Sequence, residues 1–254
     1  MGSWRARRRR EAGGLLKAPA SPRPLVSIIV PVYNESATVA AVIGRLLTID
    51  LPADREIIVV NDGSSDGTRN VLQQLEGTGR LRVVHSDRNR GKGHAIRLGL
   101  AAAVGDVIAI QDADLELDPS QLAALVAPIL DGETDVVYGS RFLRGTPDVP
   151  SLTVVANRAL TGLTNLLYGS SITDMETCYK IMRTSVARNL ALTADRFDIE
   201  PEITARLLTG GHRITERPVT FTPRSRAAGK KIGWRDGVSA VRVLLRHRFW
   251  RRRT

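Results

Sequence analysis

Between Val26 and about residue 140 the chain alternates short runs rich in Val and Ile with stretches of helical periodicity, and this alternation narrows its possible folds more than anything else. The runs at 26–30, 56–60, 81–84, 107–110 and 135–138 read as strands, and none has a regular polar face. Between them lie helical stretches near 36–47, 66–75, 93–103 and 120–130. In the first, Val39, Val42, Ile43, Leu46 and Leu47 recur at helical spacing. Asp66 and Ser120 are the expected N-caps of the second and fourth. Strands with no polar face, each followed by a helix, predict a parallel sheet covered on both sides. Ligands of such a sheet bind beyond the carboxyl ends of its strands, where the strand order reverses.

The second half is less regular. Helices are expected near 153–168, 200–209 and 236–249, with a loop at Asp174-Met175-Glu176. The domain plan is a basic, disordered leader over 1–24, a catalytic domain over 25–235, and a basic amphipathic helix and tail over 236–254.

The formal charge of +11 bears on partners only through its location. Five arginines and no acid lie in residues 1–10, and six arginines and no acid lie in residues 242–253. The body between is balanced, whereas a nucleic-acid enzyme carries its basic footprint on the folded domain. Two basic ends on a neutral body fit an anionic membrane surface or simply solvated tails, and nucleic acid is not expected as a partner. No apolar run approaches the roughly 18 residues that span a bilayer, and no signal peptide is recognised. The single cysteine, Cys178, excludes an internal disulfide and reads as a buried small hydrophobe. The expected location is therefore cytoplasmic, peripheral on the inner face of the membrane.

Polar clusters follow three of the strands. Pro31-Val32-Tyr33-Asn34-Glu35 offers an aromatic ring and a carboxylate for a nucleoside, or forms a simple turn. Asn61-Asp62-Gly63-Ser64 places Asp62 where an acid can accept from a ribose hydroxyl or a base N–H. Neither a Gly-x-Gly-x-x-Gly turn nor a Walker A loop is present, so Lys92 either turns one cation toward a phosphate or lies on the surface. Gln111-Asp112-Ala113-Asp114-Leu115-Glu116 brings several carboxylates to one strand end. Their repulsion calls for a cation, and Mg2+ or Mn2+ suits oxygen ligands and can share a diphosphate.

Taken in order, Pro31-x-Tyr33-Asn34-Glu35, Asn61-Asp62-Gly63-Ser64-x-Asp66-Gly67-Thr68, Arg90-Gly91-Lys92-Gly93, Asp112-Ala113-Asp114, Gly139-Ser140-Arg141-Phe142 and Phe197-Asp198-Ile199-Glu200-Pro201-Glu202 resemble the family 2 glycosyltransferases of GT-A fold. Within that family they resemble the dolichol- or polyprenyl-phosphate mannose synthases. The resemblance implies an α/β GT-A nucleotide-sugar-binding fold, a mostly parallel central sheet flanked by helices, with a C-terminal amphipathic helix. It implies a nucleotide-sugar site at Pro31, Tyr33, Glu35, Asp62, Lys92, Asp112, Ala113 and Asp114, and a metal held by Asp112, Asp114 and Glu116. Asp114 and Arg141 would be catalytic, and Arg141, Arg158, Arg226 and Lys231 would hold the acceptor phosphate. The implied reaction is inverting transfer of a hexose to a polyprenyl phosphate, from GDP-mannose first and UDP-glucose next. A Gln-x-x-Arg-Trp signature is absent, which argues against polymer synthesis.

Two alternatives remain open at this point. One is a soluble family 2 glycosyltransferase acting on a saccharide or other hydroxyl acceptor, which needs a general base; Asp174 and Glu176 are the candidates. The other is a non-enzymatic basic protein that binds nucleic acid or lipid.

Overall fold

A computed structural model describes residues 23–224 and 234–250; the expected leader lies almost wholly outside them. The first half follows the alternation seen in sequence: β1 (Leu25–Val32), α1 (Val39–Thr48), β2 (Asp54–Asp62), α2 (Thr68–Leu75), β3 (Leu81–Ser86), α3 (Lys92–Ala102), β4 (Val107–Ile110), α4 (Leu122–Leu130) and β5 (Val136–Ser140). The second half holds α5 (Ser151–Tyr168), β6 (Lys180–Arg183), α6 (Thr184–Asn189), α7 (Ile199–Thr209), β7 (Thr215–Pro218) and α8 (Trp234–Phe249).

Among the described residues the strands form one seven-stranded sheet in the order β3-β2-β1-β4-β6-β5-β7. All pairings are parallel except those of β6, which runs antiparallel between β4 and β5. The central strands are buried on both faces; Val26, Ile28, Ile29, Val30, Ile57, Ile58, Val59 and Val60 are closed to solvent. β1 lies between β2 and β4, so the strand order reverses there, and the crevice opens beyond Val32 and Ile110. The α/β fold with a mostly parallel sheet, flanking helices and a C-terminal helix is thus present.

Two helix starts differ from the sequence reading. α4 begins at Leu122, behind a short 3-10 turn at Pro119–Gln121, and the cap is Asp118, whose Oδ1 accepts from Ser120 N at 2.8 Å. Asp118 outcompetes Ser120 because its carboxylate reaches an exposed N–H two residues on. α2 begins at Thr68, and Asp66 serves it from one position earlier, accepting from Thr68 N at 2.9 Å and from Ser36 N at 3.1 Å. Partial burial works against ionisation of Asp66, but these hydrogen bonds hold its pKa down to about 2.

The C-terminal helix docks onto the body. Leu244 and Ala240 of α8 are buried, and Tyr168 Oη of α5 donates to Leu244 O at 2.7 Å. Val238, Phe249 and Trp250 remain exposed.

The start of α3 is set by two glycines. Gly91 has φ +112, and a methyl group on Gly93 would strike the Ala194 carbonyl. This closeness lets His94 N donate to Asp195 O at 3.0 Å. Gly93→Ala should therefore cost about 1–3 kcal/mol through overpacking against backbone, lowering the melting temperature by about 2–4 °C per kcal/mol. A thermal melt indistinguishable from wild type would show that the 194–195 loop yields freely.

Candidate active site at the carboxyl edge of the sheet

Three loops interlock at the β1–β2 end of the crevice. Asn34, at φ +53, donates its N–H to Ser64 Oγ at 3.0 Å and accepts from Ser65 N at 2.9 Å. Glu35 N donates to Thr68 Oγ1 at 2.9 Å. Asp62, buried at the end of β2, accepts from Arg90 N at 3.0 Å and from Gly91 N at 2.6 Å. The expected nucleoside residues Pro31, Tyr33, Glu35 and Asp62 are thus gathered at one end, and Asp62 also fixes the turn that leads into α3. Glu35 is already engaged: its Oε2 accepts from Thr38 Oγ1 at 2.8 Å and from Arg224 Nη2 at 2.9 Å.

Lys92 is neither a surface lysine nor directed at open solvent. Its Nζ lies 2.8 Å from Asp112 Oδ1 and 2.9 Å from Glu200 Oε1. The other oxygen of Glu200 is 2.5 Å from Nζ of Lys180, which is fully buried. Lys180 also donates to the carbonyls of Met175 and Thr177, and its ammonium lies 4.9 Å from the centroid of the Tyr138 ring. A chain of alternating charge, Asp112–Lys92–Glu200–Lys180, therefore runs under the crevice. Burial alone would release the Lys92 proton, but Asp112 and Glu200 outweigh it and hold the ammonium well above the usual lysine range. Burial likewise opposes the charge on Asp112, and facing Lys92 holds that carboxylate below its usual range.

Asp114 sits on a bent loop. Leu115 has φ +63, a left-handed conformation rare for a branched side chain. Asp114 Oδ1 accepts from Glu116 N at 3.1 Å. Arg224, unforeseen from sequence as a site residue, gathers this loop. Its Nε donates to Asp114 O at 3.0 Å, its N–H to Glu116 Oε1 at 3.0 Å, and its Nη2 lies 3.4 Å from Asp114 Oδ2. Among the described residues no three His, Cys, Asp or Glu side chains are arranged to hold a metal by themselves, so the expected trio Asp112, Asp114 and Glu116 is not assembled. Asp112 and Asp114 still present carboxylates that are 25% and 23% exposed. Two hard oxygen donors suit a divalent ion whose other positions are filled by a diphosphate and water.

The β5 side of the crevice is acidic as well as basic. Arg141 donates through Nε to Asp174 Oδ2 at 2.7 Å, through Nη2 to Asp174 Oδ1 at 2.8 Å and through its backbone N–H at 3.0 Å. Its guanidinium carbon lies 5.9 and 5.4 Å from the ring centroids of Phe142 and Phe221. The fork expected to grip an acceptor phosphate is therefore spent on Asp174, which is fully buried. Arg158 is exposed, held by Thr146 Oγ1 at 3.0 Å and set 5.7 Å from the Phe142 centroid. Arg226 and Lys231 lie outside the described residues. Glu176, on the same loop as Asp174, has an Oε1 shut off from solvent with no hydrogen-bond partner among the described residues. Burial is the main cause that lifts its pKa to about 7; Glu200 and Asp174 add to the rise, while Lys180 and Arg141 oppose it.

Residues 27–191 match the family described as glycosyl transferase family 2. Among curated relatives, glycosyltransferase AglD of Haloferax volcanii is 33% identical over 212 residues, which is 78% of this chain and 33% of that one. Polyprenol monophosphomannose synthase of Mycolicibacterium smegmatis is 28% identical, covering 85% of this chain and 84% of that one. The chain spans only 33%, 59% and 61% of the length of the first three curated relatives it matches. Among solved structures, glucosyl-3-phosphoglycerate synthase from Mycobacterium tuberculosis, in complex with Mn2+, UDP and phosphoglyceric acid, superposes with a TM-score of 0.69. It is 21% identical, and the match covers 89% of this chain and 79% of that one.

These findings overturn the narrower expectation of a dolichol- or polyprenyl-phosphate mannose synthase that uses GDP-mannose. The solved structures that share the fold are of an enzyme with UDP and a phosphoglycerate acceptor. Nε and Nη2 of Arg141, the centre of the expected lipid-phosphate grip, are engaged by Asp174. No helix among the described residues is long and apolar enough to cross a membrane.

Proposed function

The chain belongs to glycosyl transferase family 2, and from that premise we propose that it moves a hexose from a UDP-sugar to a hydroxyl group of a small anionic acceptor, with Mg2+ or Mn2+ as cofactor. The observation that carries this reading is the pairing of Arg141 with Asp174, which engages Nε and Nη2 of the arginine that a lipid phosphate would need. The phosphoglyceric acid in solved structures of the same fold supports the acceptor class, and their UDP supports the donor.

In this reading Pro31, Tyr33, Glu35 and Asp62 enclose the nucleoside, and the turn from Arg90 to Lys92 lies beside the diphosphate. Asp112 and Asp114 would hold the ion, which as a Lewis acid supplies stabilisation of the departing nucleoside diphosphate. Lys92 orients Asp112, and Arg224 orients the Asp114 loop through its backbone oxygen. Glu116 takes part through Arg224 N rather than as a ligand. Arg158, free on one side and backed by Phe142, meets the acceptor's anionic group.

The test is incubation with UDP-glucose, Mn2+ and a panel of hydroxyl acceptors headed by phosphoglyceric acid, read by mass spectrometry. A glucosylated acceptor, lost when EDTA removes the metal, is the expected outcome. Glucose recovered only in the organic phase, on added polyprenyl phosphate, would reverse the assignment of acceptor.

A further inference from the structure

The Arg90–Lys92 turn at the donor end of the crevice is seated by two sets of contacts. Asp62 takes the N–H groups of Arg90 and Gly91, and the loop at 193–195 packs against the start of α3. His94 N donates to Asp195 O at 3.0 Å, and Arg97 donates to Ala194 O and reaches Asp195 Oδ1 at 2.5 Å. The fit has no slack: a methyl group on Gly91 would strike Asp195 O, and one on Gly93 would strike Ala194 O. That loop is held in turn by Glu202 of α7, which is 1% exposed. The carboxylate of Glu202 accepts from Thr193 N at 2.9 Å, Thr193 Oγ1 at 2.8 Å and Ala194 N at 2.7 Å. The same carboxylate meets Arg206 Nε at 2.9 Å and His247 Nε2 of α8 at 3.6 Å. Burial works against ionisation of Glu202, but His247 and the N–H groups of Ala194 and Thr193 outweigh it and hold the carboxyl well below its usual range.

We infer that Glu202 and His247 are positioning residues for the nucleotide-sugar, so that docking of the C-terminal helix sets donor affinity. The path is continuous. His247 of α8 abuts Glu202, Glu202 fixes the 193–195 loop, and the loop seats the turn that carries Lys92 toward Asp112. Glu200, two residues before Glu202, meets Lys92 directly at 2.9 Å, so the first turn of α7 reaches the donor turn by two routes. A turn already fixed in its bound shape has little ordering left to lose when the nucleotide arrives, and loosening its support weakens binding without touching the reacting atoms. The inference rests on the UDP-sugar site proposed above and is indifferent to the acceptor. A second tie of α8 makes it separable from helix docking as such. Tyr168 Oη donates to Leu244 O at 2.7 Å, and this bond secures the same helix to α5 rather than to Glu202.

The experiment is calorimetric titration of the full chain with UDP in the presence of Mn2+, beside steady-state kinetics with UDP-glucose and a melting curve for each variant. His247→Gln is expected to weaken UDP binding by about 3- to 30-fold, and to raise KM for UDP-glucose by a similar factor with kcat nearly unchanged. Glu202→Gln should weaken binding further, because its amide offers one acceptor oxygen to two backbone N–H groups and no charge to Arg206. Tyr168→Phe is the control for docking. It should lower the melting temperature by about 2–4 °C and leave UDP affinity at the wild-type value. A purely structural role for α8 would move affinity with melting temperature in both helix variants, and that result would overturn the inference. So would a His247→Gln variant that binds UDP as tightly as wild type. The His247→Gln and Tyr168→Phe pair decides the matter even where Glu202→Gln does not fold. A wild type that binds no UDP with Mn2+ would remove the donor reading, and this inference with it.

Discussion

Glu200→Gln is expected to lower the melting temperature by about 6–20 °C, the equivalent of about 3–5 kcal/mol for breaking a buried ion pair in a chain of this size. Glu200 is the only acid between two ammonium groups, 2.9 Å from Lys92 and 2.5 Å from Lys180 among the described contacts. Lys180 has no exposed surface, and after the substitution its charge would be left without its direct ion-pair partner, facing the Met175 and Thr177 carbonyls and the ring of Tyr138. The amide cannot repay the desolvation of two cations, because it carries dipoles where the site requires a full negative charge. Thermal denaturation followed by circular dichroism reads the effect. The double variant Glu200→Gln/Lys180→Met should recover much of the loss, since replacing both members of a buried pair costs far less than removing one. A single variant within about 1 kcal/mol of wild type would mean that water reaches Lys180 and that the chain of charges does not bear on folding.

Asp114→Asn is expected to reduce turnover on the order of 10³-fold, or about 4 kcal/mol of transition-state stabilisation, with little change in melting temperature. The side chain is partly exposed, and the loop's attachment to Arg224 runs chiefly through the backbone oxygen of Asp114, which the substitution retains. What is lost is one of the two anionic donors available to a divalent ion. Calorimetric titration with UDP should therefore show affinity that rises with Mn2+ in wild type and is nearly indifferent to Mn2+ in the variant. Full turnover by Asp114→Asn would remove this residue from the metal site and leave Asp112 as the sole candidate from the strand end.

Much of the fold is legible in the sequence, because β1, β2 and β4 are buried on both faces and write that burial as Val- and Ile-rich runs. β6 and β7 are not legible for the opposite reason. Lys-Ile-Met-Arg contains a charge that is buried only because Glu200 arrives from α7, and Thr-Glu-Arg-Pro has no apolar pattern at all. Both need tertiary partners to make sense as strands. The site shows the same division. Asp62, Asp112 and Asp114 stand at strand ends and can be found from local pattern. Lys92 facing inward, Arg224 reaching back to residue 114 and Arg141 paired with Asp174 depend on pairings across twenty or more residues. The expected acceptor failed at that level: an arginine in sequence carries a charge, but only the fold tells whether that charge has already been answered.

The alternating chain from Asp112 to Lys180 has a thermodynamic consequence for how substrates load. Two carboxylates and two ammonium groups sum to zero, so a bare divalent ion approaching Asp112 meets a site already balanced and gains little from it. A bare diphosphate meets the carboxylate of Asp114 and gains little either. Entering together, cation and diphosphate bring charges that largely cancel, and the crevice accepts them without disturbing its own neutrality. Binding of metal and donor should then be mutually reinforcing by the same factor in each direction, which makes the nucleotide-bound ion, rather than the free ion, the species this crevice selects.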